Sequence, residues 1–218
     1  MTVEPVGGPN DMATVSTSLD QTVVLRDVNW KTYEKLLADL ADSSAPRLTY
    51  DRGTLEIMSP TAEHERFNRL LASFVEEASI ALGIDVESLG STTFKREDLE
   101  RGFEPDSCFY IGHSNHVLGE RTIDLANDPP PDLVVEIDIT RTSVRKFPLY
   151  AQVGVKEVWR YDGETLFMSK LSGDSYIDIA ESTSLPGLTV RDLTEFLDRS
   201  RTTRRRELIQ DFRKWLSR

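Results

Sequence analysis

The sequence predicts one α/β or α+β domain, a mixed sheet with helices on its faces, and three observations predict it. Helical apolar spacing over residues 29–83 gives way to short alternating and all-apolar runs. A strand, short helix, strand succession over residues 132–162 implies a crossover between parallel strands. The chain has 218 residues, enough for one sizeable core.

The opening MTVEPVGGPNDMATVSTSLDQ is polar, has no period that would bury a face, and is expected to be disordered through residue 20. Asn29 then caps a helix whose Trp30, Tyr33, Leu37 and Leu40 recur at helical spacing, with Val28 placed to staple against Tyr33. RLTYDRGTLEIM alternates around Arg52-Gly53 and predicts a hairpin. Thr61 opens the longest helix, whose stripe of Phe67, Leu70, Leu71, Phe74 and Ala78 ends at Gly83. VESLGSTTF, PDSCFYIG and DLVVEIDIT follow as strands of the sheet core. SVRKFPLYAQVG predicts a short helix that tolerates Pro148 in its first turn and closes on Gly154, before the strand KEVWRYD. TLFMSKL and SYIDIA form a terminal hairpin, followed by a Thr189–Leu197 segment and a basic last helix. The expected organisation is a disordered segment 1–20, a domain 21–198 and a basic C-terminal helix 199–218.

Composition narrows the function. No run approaches the roughly 18 to 20 apolar residues of a membrane span, and a single cysteine, Cys108, fits a reducing compartment, so a soluble cytoplasmic protein is expected. Residues 199–218 hold eight Arg or Lys against Glu207 and Asp211, a net +6, and the chain total of -11 then leaves -17 for residues 1–198. Such a body repels nucleic acid at long range unless its acids are local and metal-bound.

Chemistry concentrates in DLVVEIDIT. Residues two apart on a strand share a face, so Glu136 and Asp138 lie together while Val135, Ile137 and Ile139 take the other face. Carboxylates in an apolar sheet need a cation, hydrogen bonds or a metal. Downstream, Arg145 and Lys146 open the short helix, and Lys146 lies one turn from Tyr150 on the face expected to meet the sheet. In GFEPDSCFYI, Asp106 starts another strand, with Glu104 two positions before it. Asp106, Glu136 and a substrate phosphate would suit magnesium, a hard cation that keeps water. Bound there, it would acidify a water and neutralise charge at phosphorus, with Lys146 beside it.

These segments resemble a known family. EPDSCFYI, PDLVVEIDIT, the delayed Lys146 and YAQVGVKEVWRYDG are similar to the Uma-two type of endonuclease, of the restriction-endonuclease-like PD-(D/E)XK superfamily. MSPTAEHERFNRLL resembles that family's first core helix, with His64 at its usual histidine. The resemblance spans residues 28–198. It implies a mixed sheet flanked by helices, Asp106 and Glu136 as metal ligands, and Lys146 as a catalytic lysine moved from strand to helix. The superfamily pattern puts lysine two positions after Glu136, where this chain has Asp138.

Several residues keep two readings. Asp138 is a third ligand, a partner for Lys146, or an acid at the strand's frayed end; Lys146 is catalytic or a surface lysine. His64 is a satisfied half-buried histidine or a group near the metal. Glu63 and Glu65 suit a helix N-terminus through its dipole, and Glu63 ranks first for a site role because it shares a face with Phe67 and Leu70. His113 and His116 lie in a polar loop, Cys108 is taken as a core residue, and Trp159 and Tyr161 as sheet-face filling. The expectation is a Mg²⁺- or Mn²⁺-dependent endonuclease acting on DNA as a homodimer, without membrane contact. The alternative is a catalytically silent nuclease fold serving as an interaction or nucleic-acid-binding module; a small-molecule phosphoesterase suits the acidic surface but has no family support.

Overall fold

The computed structural model describes residues 20–41, 46–120, 122–139 and 146–218. The expected disorder of residues 1–19 and the position of Arg145 lie outside the described residues. The chain runs β1 (Gln21–Leu25), α1 (Trp30–Asp39), β2 (Arg47–Asp51), β3 (Thr54–Ser59), α2 (Ala62–Leu82), β4 (Glu87–Gly90), β5 (Phe94–Arg96), β6 (Arg101–Phe103) and β7 (Ser107–Tyr110). It continues through α3 (Ser114–Val117), β8 (Leu133–Ile137), α4 (Lys146–Val153), β9 (Glu157–Tyr161), β10 (Leu166–Ser172), β11 (Ser175–Ile179), α5 (Val190–Arg199) and α6 (Arg205–Leu216).

Local chemistry explains the main boundaries. Asn29 caps α1 by accepting from Thr32 N–H at 2.9 Å, and Thr61 caps α2 by accepting from His64 N–H at 3.2 Å. Gly83 ends α2 in the left-handed region at φ 66°. The β2–β3 turn needs positive φ at both central residues, met by Arg52 at 42° and Gly53 at 90°.

The expected mixed sheet has six strands in the order β11-β10-β9-β8-β7-β4, and β8 and β9 are parallel around the α4 crossover. The structure departs from a single sheet: the early hairpin joins a separate antiparallel sheet, β1-β3-β2-β6-β5. β1 and β6 had no counterpart among the expected strands, and they take both open edges of the hairpin. One face of this second sheet packs Leu48, Tyr50 and Leu55 against Trp30 and Tyr33 of α1.

Two cores sandwich the mixed sheet. Phe67, Leu71 and Phe74 of α2 pack with Val135, Ile137, Trp159 and Tyr161, and the same cluster takes in Leu193 of α5 and Leu208 and Phe212 of α6. Trp159 and Tyr161 thus fill the sheet face as expected. The basic last helix has its apolar side in the main core, while Arg213 pairs with Glu77 of α2 through Nε at 2.6 Å. On the opposite face, Leu149 and Tyr150 of α4 meet Cys108, Tyr110, Val134 and Val158. Burial pushes the Cys108 thiol up to about 12, which suits a core residue and not a nucleophile. Among the described residues no helix is long and apolar enough to cross a membrane.

Candidate active site

The β7–β8 register pairs Ser107 with Val135, and carried one residue further it sets Asp106 across from Glu136. Both are buried, on the sheet face that α4 covers. Asp106 Oδ2 accepts from Ile137 N–H at 2.6 Å, so this carboxylate is pinned to the end of β8. Asn68 of α2 donates to the Asp106 carbonyl at 3.0 Å and accepts from Ser107 Oγ at 2.8 Å, holding the same peptide from the other side.

The α4 crossover brings Lys146 back to the acids. Its Nζ donates to Glu136 Oε2 at 2.8 Å, and one turn later Tyr150 donates its hydroxyl to Glu136 Oε1. Burial raises the Tyr150 pKa well above its ordinary value, with the Glu136 charge adding to the effect, so the phenol stays a donor. A lysine at the start of this helix therefore stands beside Glu136, while position 138 on the strand side holds an acid.

Asp138 lies just beyond β8, half-buried, with Arg160 Nη1 3.8 Å from its Oδ2. Burial raises its pKa, Arg160 opposing and Glu136 adding. It opens onto a cleft of about 800 Å³ whose walls include Glu63, Arg160, Asp162, Asp198 and Arg201. Arg160 lies over the Phe167 ring at 4.4 Å and Arg201 over Phe67 at 5.2 Å. Among the described residues Arg160 has Asp138 3.8 Å away and Arg201 has Glu63 3.7 Å away, and although Arg201 Nη2 donates to the Gly163 carbonyl, each guanidinium has further N–H groups to offer a ligand.

His64 is fully buried, with Nε2 3.0 Å from Asp106 Oδ2 and Nδ1 3.2 Å from Asp20 Oδ2. Burial pushes its pKa below the ordinary value, Asp20 opposing and Arg47 assisting. Arg47, Asp20, Asn68 and Tyr150 had no place among the candidates. The Arg47 guanidinium meets Asp106 Oδ1 in an ion pair and Glu65 through its other nitrogen. Glu65 is therefore the α2 acid tied to the buried network, while Glu63 faces the cleft and Arg201. The signal for Arg47 was present: Arg47 and Thr49 share a face of β2, and with Glu56, across from Thr49, they are buried.

Glu104 is a tether, accepting from Leu48 N–H at 2.7 Å. His113 Nδ1 lies 3.1 Å from Asp132, and its ring is 5.9 Å from that of His116.

The fit to a metal is tested by what the acids lack. Among the described residues no three His, Cys, Asp or Glu form a ready metal cluster. Magnesium asks for less, one or two carboxylates with water and substrate oxygens. Asp106 Oδ1 and Asp138 Oδ1 are buried and accept no hydrogen bond, the first despite its ion contact with Arg47. The oxygen donors fit a hard divalent cation, which would find Asp138 Oδ1 without a hydrogen bond and would share Asp106 with Arg47 and Glu136 with Lys146 and Tyr150.

The architecture is a mixed sheet with two acids facing each other at the ends of adjacent strands and a crossover lysine beside them. The chain belongs to the Uma2 family, described as "Putative restriction endonuclease", whose model matches residues 30–213. In fold it is similar to a crystal structure described as that of a "putative nuclease belonging to DUF820" from Anabaena variabilis ATCC 29413, with a TM-score of 0.54 and 19% identity. The match covers 78% of this chain and 99% of that one. No curated protein matches the chain.

Proposed function

We propose that the chain is a Mg²⁺- or Mn²⁺-dependent endonuclease that hydrolyses phosphodiester bonds in DNA. The observation that carries the reading is Lys146 Nζ at 2.8 Å from Glu136, returned by a crossover helix to a strand whose usual lysine position holds Asp138. Asp106 and Glu136 would hold the ion, with Asp138 at the rim. Bound there, it would supply a more acidic water and neutralise charge at phosphorus.

The protein's own groups have separate tasks. Lys146 stabilises charge gathering on a phosphate oxygen, and Tyr150 keeps Glu136 oriented through its hydroxyl. Arg160 and Arg201 offer the cleft to flanking phosphates, the local cations that an acidic body needs to capture nucleic acid. Cutting both strands of a duplex favours paired sites, so the active form is a homodimer.

One observation favours a second reading, a silent module: Asp106 pairs with Arg47 and Glu136 with Lys146, so the protein's own cations already neutralise both acids. Calorimetric Mn²⁺ titration with plasmid cleavage separates the two. Wild type is expected to bind Mn²⁺ and nick supercoiled DNA, and Asp106→Asn and Glu136→Gln to lose both while staying folded. A wild type that neither binds nor cleaves establishes the silent module.

A further inference from the structure

Upstream of the family match at residue 30, Asp20 reaches the site through α2. Its Oδ1 accepts from Thr61 N–H at 2.7 Å and its Oδ2 faces His64 Nδ1 at 3.2 Å. Its side chain is almost fully buried, and β1, which follows it, pairs along the edge of β3. Asp20 therefore does more than cover a helix end: it touches a buried imidazole whose other nitrogen meets Arg47 and Asp106.

The donors and acceptors run in one direction. An ionised carboxylate can only accept, so the bond to Asp20 requires the proton on His64 Nδ1. In the neutral ring that leaves Nε2 with its lone pair, and Arg47 Nη1, 3.2 Å away, donates to it. The same Nη1 meets Asp106 Oδ1. Asp106 Oδ2 also lies 3.0 Å from Nε2 but makes no hydrogen bond with it, so Arg47 is the hydrogen-bond partner on that side; the opposite tautomer would set a lone pair against Asp20 and bring two donors together at Arg47.

We infer that Asp20 is a positioning residue: it fixes the Nδ1–H tautomer of His64, and through Nε2 that tautomer seats Arg47 against Asp106. The N-terminal strand thereby sets the orientation of a carboxylate at the far end of β7. The tautomer is a property of the metal-free protein, whereas its consequence for metal binding rests on the function proposed above.

The test is a long-range ¹H–¹⁵N correlation of the histidine rings in full-length, metal-free protein, with His113 and His116 as references. Wild type is expected to show His64 protonated at Nδ1. Asp20→Asn keeps an acceptor for Thr61 N–H but turns an amide donor toward Nδ1, which moves the proton to Nε2. That N–H then competes with Arg47 for Asp106, and Mn²⁺ affinity falls roughly 10- to 100-fold, the usual cost of losing an outer-shell partner.

A wild-type His64 protonated at Nε2 overturns the inference without any variant. So does a folded Asp20→Asn protein with the wild-type tautomer, and a moved tautomer with unchanged Mn²⁺ affinity overturns the link to Asp106. If wild type takes up no Mn²⁺, the proposed function fails, and the wild-type ring signature alone decides the role of Asp20.

Discussion

Strand β8 has a buried acid cluster at each end, and the two clusters differ in what they leave open. At its start, Asp132 accepts from Ile111 N–H at 2.8 Å, His113 N–H at 3.2 Å and Lys156 at 2.7 Å, with His113 Nδ1 3.1 Å away. Both oxygens are used, and the result joins three segments. Glu157 on the next strand is similar, taking Trp159 Nε1 on one oxygen and the N–H groups of Thr183 and Ser184 on the other. At the far end of β8, Asp138 buries an oxygen that accepts no hydrogen bond, and Asp106 Oδ1 has only its ion contact with Arg47 among the described residues. Saturated carboxylates are part of the fold, whereas an acid kept with lone pairs to spare costs stability until something binds. Hydrogen bonding, not burial, thus distinguishes Asp132 from Asp138, whereas Glu136 between them accepts on both oxygens, from Lys146 and from Tyr150.

The site end stays folded because cations reach it from elsewhere, and the largest expected effect comes from removing the one that the second sheet supplies. Arg47→Met leaves Asp106 charged, buried and without its counter-ion, a loss of about 3 to 5 kcal/mol in unfolding free energy. Adding Asp106→Asn should recover most of it, because the double variant no longer buries an unpaired charge. Urea melts of the two single variants and the double variant measure the coupling. Additive losses would mean that Arg47 acts through packing alone, and the two ends of β8 would then be alike.

How much of this was legible in the sequence follows from where each group is carried. The acids were, because Glu136 sits in a strand, and Asp106 just before one, too apolar to carry them without reason, and the crossover helix could be placed from Pro148 and Gly154. Lys146 followed from its spacing to Tyr150. Arg47 did not, although its alternation with Leu48 is plain. In a hairpin, alternation signals one apolar and one wet face, yet here the polar face of β2 and β3 is buried. Strand period says which residues share a face, and only tertiary packing says what that face meets. Asp20 was hidden for a different reason, as the last residue of a stretch expected to be disordered. The second sheet was missed because short strands such as β6, three residues long, carry too little pattern to find.

Lys146 sharpens the comparison from the side of chemistry. Lys146→Ala should slow cleavage about a hundredfold, near 3 kcal/mol of transition-state stabilisation, while Mn²⁺ still binds. Lys146→Arg should rescue poorly, since a planar guanidinium does not replace a compact ammonium. Single-turnover plasmid cleavage with parallel calorimetry reads both quantities, and cleavage at the wild-type rate in Lys146→Ala removes the lysine from the mechanism.

At the saturated end the expected effect is on stability only. Burial works against ionisation of Asp132, but the hydrogen bond from Lys156, the Ile111 N–H and the charges of Lys156 and His113 hold its pKa below the ordinary carboxyl value. A depressed folded pKa contributes stability above the unfolded pKa, and that contribution is lost as pH falls through the folded one. Asp132→Asn should therefore cost about 2 kcal/mol near neutral pH, the scale of a hydrogen bond to a charged group. The cost should shrink only in strong acid, and neither Mn²⁺ affinity nor cleavage should change.

Asp138 should behave with the opposite sign, and its effect is the smallest. Its carboxyl is raised by burial and by Glu136, with Arg160 only partly offsetting them. A raised folded pKa means that the folded protein binds the proton more tightly than the unfolded chain, so ionising Asp138 costs stability as pH rises. In chelator-treated protein, Asp138→Asn removes that cost but also the pairing with Arg160, leaving a net gain on the order of 1 °C in Tm near neutral pH. The gain should vanish on acidification at a pH above the one at which Asp132→Asn converges with wild type, because a protonated Asp138 carries no more charge than the amide. With Mn²⁺ present the order should reverse, wild type gaining more Tm than the variant, since only wild type offers the ion a negatively charged carboxylate. Melting curves across pH, with and without Mn²⁺, test both signs together. A variant that is less stable than wild type in chelator at neutral pH would make Asp138 a structural acid like Asp132, and the distinction between the two ends of β8 would then rest on Asp106 alone.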